Sequence, residues 1–152
     1  MARAYAKLPT IDIASNVALV VDVSIAAKWF LRDEHSRAAD ALLDRILAEG
    51  AYVPALFRWE MESVLLGAER ANRIDADDVD AALESLRDLP IALEPAGERF
   101  FSGNEVRLAR HYDLTPYDAA YLCLATSRNI PLATTDVALA YAARDLGVVV
   151  VP

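Results

Sequence analysis

Four acidic residues stand where a carboxylate could take part in chemistry: Asp22, Glu60, Asp118 and Asp136. Asp22 follows the apolar, β-branched run at 17–21, which is typical of a strand buried on both faces of a parallel sheet. Asp136 follows a second short predicted strand. Open α/β sheets bind their ligands beyond the carboxyl ends of the strands. The sequence therefore predicts that Asp22 and Asp136 lie at one edge of a sheet.

Most of these acids also have an ordinary structural explanation, and the sequence alone leaves both readings open. Asp22 could close a strand, Asp136 could cap the helix that follows it, and Asp118 stands three residues after Thr115, as in a helix capping box. Glu60 differs because it lies within a predicted helix, beside the apolar stripe, where no cap is needed. A carboxylate that faces inward requires a cation, a hydrogen-bond donor or a metal beside it.

The residue types favour a hard metal ion. His35 and His111 are isolated from other ligand-like residues in the sequence, so the candidate ligands are carboxylates alone. Oxygen ligands suit Mg²⁺ or Mn²⁺ rather than Zn²⁺. Such an ion lowers the pKa of a bound water and neutralises charge on a phosphate oxygen. The implied chemistry is hydrolysis of a phosphodiester or a phosphomonoester.

Strands alternate with helical segments along the whole chain, which predicts a three-layer α/β/α fold with a central parallel sheet. The predicted strands are 17–21, 52–54, 91–94, 131–134 and 148–151. The predicted helices are 24–31, 36–48, 55–72, 75–89, 98–111, 115–127 and 136–146. Ser24 is expected to cap the first helix. Residues 1–16 are expected to form an N-terminal extension, and residues 17–152 a single domain.

Composition limits the classes of function. The net charge of −8 argues against a protein that coats nucleic acid with a basic surface, although it does not exclude one that cuts nucleic acid. The single cysteine, Cys123, cannot form an internal disulfide, which favours a reducing cytoplasm. No apolar run reaches the length of a membrane span, so no membrane association is expected.

Four motifs in chain order resemble those of the PIN-domain family and, within it, the VapC-type ribonuclease toxins of bacterial and archaeal toxin–antitoxin pairs. They are Val-Val-Asp-Val-Ser at 20–24 with Lys-Trp-Phe at 28–30, Val-Pro at 53–54 leading to Glu60, Tyr-Asp-Ala-Ala-Tyr-Leu-Cys-Leu-Ala at 117–125, and Leu-Ala-Thr-Thr-Asp at 132–136. The resemblance extends from about Val17 to the C-terminus.

This resemblance implies a metal-dependent endoribonuclease on a five-stranded parallel sheet, with Mg²⁺ or Mn²⁺ as cofactor and RNA as substrate. The matching positions are the acids Asp22, Glu60, Asp118 and Asp136 and the supporting hydroxyls Ser24 and Thr134. The resemblance also implies a homodimer and a cognate VapB-like antitoxin, whose tail lies along the active-site groove and often presents an arginine to the acids. Whether the last acid binds metal directly or through water differs across the family.

Two departures from the family pattern stand out. Ser63 occupies a position where many relatives have asparagine, and residues 1–16 are longer than the segment that usually precedes the first strand.

Two other classes of protein remain open. A haloacid-dehalogenase-like phosphatase shares the strand that ends in aspartate, but Ser24 stands where its second acid is needed. A catalytically inactive PIN-like binding module is disfavoured by the presence of all four acids, which repel one another without a cation.

Overall fold

A five-stranded parallel sheet forms the centre of the computed structural model, which describes residues 18–94 and 103–151. Its strands are β1 Leu19–Val21, β2 Ala51–Pro54, β3 Ile91–Glu94, β4 Leu132–Ala133 and β5 Val150–Val151. They run in the order β3-β2-β1-β4-β5, and each neighbouring pair is parallel. The predicted parallel sheet of five strands is confirmed, and the predicted extension at 1–16 lies outside the described residues.

Helices cover both faces of this sheet. Within the described residues they are α1 Val23–Ala26, α2 Arg37–Glu49, α3 Phe57–Arg70, α4 Ala76–Asp88, α5 Asn104–Tyr112, α6 Pro116–Arg128 and α7 Val137–Asp145. A 3₁₀ turn at Ala27–Trp29 continues α1. Helices α1 to α4 with this turn form one packed group and α5 to α7 form another. The predicted three-layer α/β/α architecture is therefore confirmed.

Helix ends follow the local chemistry of the chain. Ser36 caps α2 by accepting a hydrogen bond of 3.2 Å from the amide of Ala39. Gly50 ends α2 with a φ of 78°, which favours glycine, and a Cβ there would lie 3.3 Å from the carbonyl oxygen of Pro90. Helix α5 begins at Asn104 rather than near residue 98 as predicted, and residues 98–102 lie outside the described part of the chain.

The first helix differs from its prediction. Asp22, not Ser24, occupies the N-cap position of α1, and its side chain makes no capping hydrogen bond. Ser24 lies inside the helix and donates its hydroxyl hydrogen to the carboxylate of Asp22. The predicted serine cap is wrong because this hydroxyl is bound by a buried charge instead of by the helix amides.

The core surrounds β1, whose three residues are completely buried. The order of the strands makes the carboxyl end of β1 a switch point, because the chain proceeds from β1 to β2 on one side while β4 lies on the other. Parallel sheets open a ligand-binding crevice at such a point. Asp22 follows β1 and Thr134 follows β4, so both flank this crevice. None of the helices in the described residues is long and apolar enough to cross a membrane.

Candidate metal centre

Apart from the hydroxyl of Tyr121, Asp22 and Thr134 are the only buried polar side chains in the described part of the chain, with 7% and 3% of their surface exposed. The hydroxyl of Thr134 donates to Oδ2 of Asp22 at 2.7 Å. The hydroxyl of Ser24 donates to the same oxygen at 2.7 Å. A buried carboxylate needs such donors to offset the loss of water. The two hydroxyls therefore hold Asp22 in one orientation at the end of β1.

The same hydroxyls tie the loop after β4 to β1. The backbone amide of Asp136 donates to Oγ1 of Thr134 at 3.0 Å, and the amide of Thr135 donates to Oγ of Ser24 at 3.1 Å. The carboxylate of Asp136 accepts a hydrogen bond of 2.7 Å from the amide of Leu139 and so caps α7. Asp136 thus belongs to the site through its backbone, while its side chain has the capping role that the sequence left open.

Glu60 lies in the first turn of α3 and is half-buried. The hydroxyl of Tyr121 in α6 donates to Oε2 of Glu60. Tyr121 itself is completely buried, so its ring cannot move away from this position without disturbing the core. The hydrogen bond fixes α3 to α6 and supplies the donor that an inward-facing glutamate requires.

Asp118 lies in the first turn of α6, where Thr115 accepts a hydrogen bond of 3.1 Å from the Asp118 amide. The Thr115 hydroxyl in turn donates to Oδ2 of Asp118 at 2.6 Å. The predicted threonine cap is therefore confirmed. The carboxylate of Asp118 accepts its hydrogen bond from the hydroxyl of Thr115, whereas in a capping box it would accept from the backbone amide of Thr115. One oxygen of Asp118 is thus engaged by its own helix turn.

Asp22, Glu60 and Asp118 are close enough to influence one another electrostatically. Burial is the main cause that raises the pKa of Asp22, the neighbouring charge of Asp118 adds to it, and the two hydroxyls and the Val23 amide oppose it. Burial also raises the pKa of Glu60, which Asp22 and Asp118 raise further and the Tyr121 hydroxyl lowers. The three carboxylates therefore lie near enough to repel one another.

No lysine or arginine in the described residues forms a salt bridge with these three acids or with Asp136. No three His, Cys, Asp or Glu side chains anywhere in the described residues stand close enough together to enclose a metal ion. The oxygen-only donors fit a hard divalent cation, which would relieve the repulsion and draw the carboxylates together.

Sequence reasoning missed one residue of the site, Tyr121. Its place in an almost wholly apolar helix suggested a core side chain, and its ring is indeed part of the core. The signal was available in the spacing, because Tyr121 lies three residues after Asp118 and so on the same side of α6. A tyrosine on that side can direct its hydroxyl towards the acids.

Comparison with known proteins agrees with this architecture. The sequence model described as "PIN domain" matches residues 19–145 of the chain. The chain is 33% identical over 121 residues to Ribonuclease VapC9 of Mycobacterium tuberculosis (strain H37Rv), an alignment that covers 80% of this chain and 87% of the relative. The same values hold for VapC ribonuclease Mb0985 of Mycobacterium bovis.

The fold has a counterpart among solved structures. The crystal structure of PAE2754 from Pyrobaculum aerophilum superposes with a TM-score of 0.61 and covers 90% of this chain and 92% of its own, at 22% sequence identity. That identity supports the fold alone. The family model matches most of the chain, and the alignment to the VapC proteins covers 80% of it. This chain therefore belongs to the PIN domain family, as a VapC-type member.

Proposed function

We propose that the chain is a metal-dependent endoribonuclease and the toxin of a type II toxin–antitoxin pair. The observation that carries this proposal is that Asp22, at the switch point of the sheet, lies within electrostatic reach of Glu60 and Asp118 while none of the three has a cationic partner among the described residues. The names of the VapC relatives support RNA as the substrate. We further propose residues 17–152 as the nuclease domain and residues 1–16 as an extension.

In this proposal Asp22, Glu60 and Asp118 hold the metal ion, with Asp136 at its side. A bound Mg²⁺ or Mn²⁺ would activate a water and neutralise charge on the scissile phosphate. The protein's own contribution is to fix the ligands before the metal arrives. Ser24 and Thr134 orient Asp22, and Tyr121 orients Glu60, so that each of these two carboxylates is held in one direction before a metal ion draws them together.

The partners follow from the same family membership. We propose a VapB-like antitoxin that neutralises the acid cluster with a basic side chain, a homodimer as the assembly, and the cytoplasm as the place of action. The lack of a cationic partner for these acids supports the antitoxin, since a cationic group placed among them would relieve their mutual repulsion. Light scattering of the purified chain, alone and with the protein of the neighbouring reading frame, tests the dimer and the antitoxin.

The enzymatic proposal is tested by incubating the purified protein with structured RNA in Mg²⁺ or Mn²⁺, with EDTA as a metal-free control. We expect Asp22→Asn and Asp118→Asn to abolish cleavage while the circular dichroism spectrum stays unchanged. Asp80→Asn, which removes an exposed acid of α4, is the matched control and should cleave as fast as wild type.

Four results would contradict the proposal. Cleavage by Asp22→Asn or Asp118→Asn at the wild-type rate would show that these acids do not form the site. Cleavage that persists in EDTA would show that the reaction does not require a metal ion. Phosphate release from phosphomonoesters without any RNA cleavage would favour the phosphatase class, and no activity on either substrate would favour a binding module.

A further inference from the structure

The three carboxylates of the proposed metal centre share one feature: each accepts its side-chain hydrogen bonds on a single oxygen, and every donor is a hydroxyl. The pairs are Ser24 and Thr134 to Oδ2 of Asp22, Tyr121 to Oε2 of Glu60, and Thr115 to Oδ2 of Asp118. No side-chain donor in the described part of the chain binds the second oxygen of any of these acids. Each acid is thus left with one oxygen that side chains do not occupy.

Tyr121 gives Glu60 the most rigid of these restraints. Its ring is completely buried in the core, so its hydroxyl cannot follow the Glu60 carboxylate if that group turns. Oε1 of Glu60 is open to solvent, because no buried side-chain oxygen in the described residues lacks a hydrogen-bond partner. The bond therefore holds one oxygen of Glu60 on the protein and presents the other to a ligand.

The number of oxygens that a carboxylate can offer distinguishes one divalent cation from another. Ca²⁺ binds about six to eight oxygens at about 2.3–2.6 Å and often takes both oxygens of one carboxylate. Mg²⁺ requires octahedral geometry at about 2.0–2.1 Å and keeps several of its waters, and Mn²⁺ also accepts octahedral oxygen ligands. Acids that offer one oxygen each suit the smaller ions and leave Ca²⁺ short of ligands.

We propose that Tyr121 determines the metal specificity of the site, because it limits Glu60 to one metal-binding oxygen and so disfavours Ca²⁺ relative to Mn²⁺. This inference rests on the proposed metal-dependent function and adds a selectivity to it. Tyr121 is a positioning residue, since it acts through Glu60. Asp22 is limited in the same way, because two hydroxyls occupy both lone-pair sites of its Oδ2.

The test compares two affinities in the same metal-free, full-length protein, titrated with Mn²⁺ and with Ca²⁺ in a calorimeter. Tyr121→Phe keeps the buried ring and frees Oε2 of Glu60, so we expect the affinity for Ca²⁺ relative to Mn²⁺ to rise by about tenfold. Tyr112→Phe is the matched control, because its hydroxyl donates to Asp145 on the exposed surface, and its affinity ratio should equal that of wild type.

A double-variant cycle tests whether the effect passes through Glu60. Glutamine has a single side-chain oxygen, so Tyr121→Phe in a Glu60→Gln background should leave the affinity ratio unchanged. Thr115→Ala is a second variant, which frees Oδ2 of Asp118, while Thr115→Ser keeps the hydroxyl. Because Thr115 is exposed and water can replace it, we expect a smaller rise in Thr115→Ala than in Tyr121→Phe.

The outcomes separate this inference from the proposed function. An unchanged ratio in Tyr121→Phe, or an equal loss of affinity for both ions, would overturn the inference, because the hydroxyl would then only stabilise the fold or place Glu60. A rise that persists in the Glu60→Gln background would overturn it as well. Should Tyr121→Phe not fold, an equal ratio in Thr115→Ala and Thr115→Ser would overturn it. Cleavage of RNA by wild type in Mn²⁺ would uphold the nuclease in each of these cases, whereas wild type that binds no Mn²⁺ would refute both claims.

Discussion

Tyr121→Phe removes one oxygen atom from the site and leaves the buried ring in place. The hydroxyl of Tyr121 is the donor that the structure gives to the carboxylate of Glu60. Without it, a half-buried carboxylate that already repels Asp22 and Asp118 loses its stabilising partner. We therefore expect the variant to be less stable than wild type at neutral pH, although it retains the same fold.

The magnitude follows from the burial of the pair. A hydrogen bond to a charged group contributes about 1.5–3 kcal/mol to stability. Glu60 is only half-buried, so solvent screening reduces this to about 1–2 kcal/mol. For a chain of 152 residues, that loss corresponds to a fall in Tm of about 3–6 °C.

The effect should depend on pH in a defined direction. Burial and neighbouring acids raise the pKa of folded Glu60 above its ordinary value of 4.5. Between 4.5 and this raised value the folded protein binds more protons than the unfolded chain, so the contribution of Glu60 to stability falls as the pH rises through that window. Because the folded protein takes up a proton on Glu60 as the pH falls through this window, Tyr121→Phe should lose less stability near pH 4.5 than at pH 7.5.

Urea denaturation at both pH values measures this, in metal-free buffer and in a cycle with Glu60→Gln. Tyr112→Phe is the matched control, because its hydroxyl donates to Asp145 at 2.7 Å on the exposed surface and its loss should change little. The reasoning is refuted if Tyr121→Phe behaves like Tyr112→Phe. It is also refuted if Tyr121→Phe costs the same stability with and without the Glu60 charge.

Three further expectations concern the rest of the site and its surroundings. Thr134→Val should lower stability by about 2 kcal/mol in urea titrations, because it removes a donor from buried Asp22 and an acceptor from the Asp136 amide, whereas a serine should recover most of the loss. Asp136→Ala should cost about 1 kcal/mol through loss of the α7 cap, while Asp136→Asn should keep the cap but cut RNA more slowly; equal cleavage would leave this residue a purely structural role. Burial raises the pKa of the Cys123 thiol to about 11, so its alkylation by iodoacetamide should be slow at pH 7.5 and speed up with each pH unit, and rapid labelling at pH 7.5 would contradict that environment.

The sequence predicted the sheet well because β1 and its neighbours carry an unmistakable physical signal. The run at 17–21 has no polar residue, and such a segment is stable only when it is buried on both faces, as β1 is. Helix ends were predictable where a cap is local, as at Ser36 and Gly50. The order of the strands depends on packing between distant segments, which no short pattern encodes.

The site was predictable in its residue types but not in its contacts. Asp22, Glu60 and Asp118 could be selected from their positions in strands and helices, yet Ser24 was expected to cap a helix. Its hydroxyl donates instead to the carboxylate of Asp22. This hydrogen bond is favoured because Asp22 is buried and needs a donor in place of water. The spacing from Asp118 could have placed Tyr121 on the side of the acids, but its pairing with Glu60 could not be predicted, because the two residues lie 61 positions apart and meet only in the folded chain.

Direct binding of Mn²⁺, measured by titration calorimetry on the metal-free protein, tests the central claim without requiring a substrate. We expect wild type to bind Mn²⁺, and we expect Asp22→Asn, Glu60→Gln and Asp118→Asn each to weaken that binding by about tenfold or more, while Asp80→Asn leaves it unchanged. Mn²⁺ affinity that is equal in wild type and in all three site variants would contradict the convergence of these carboxylates on one metal ion.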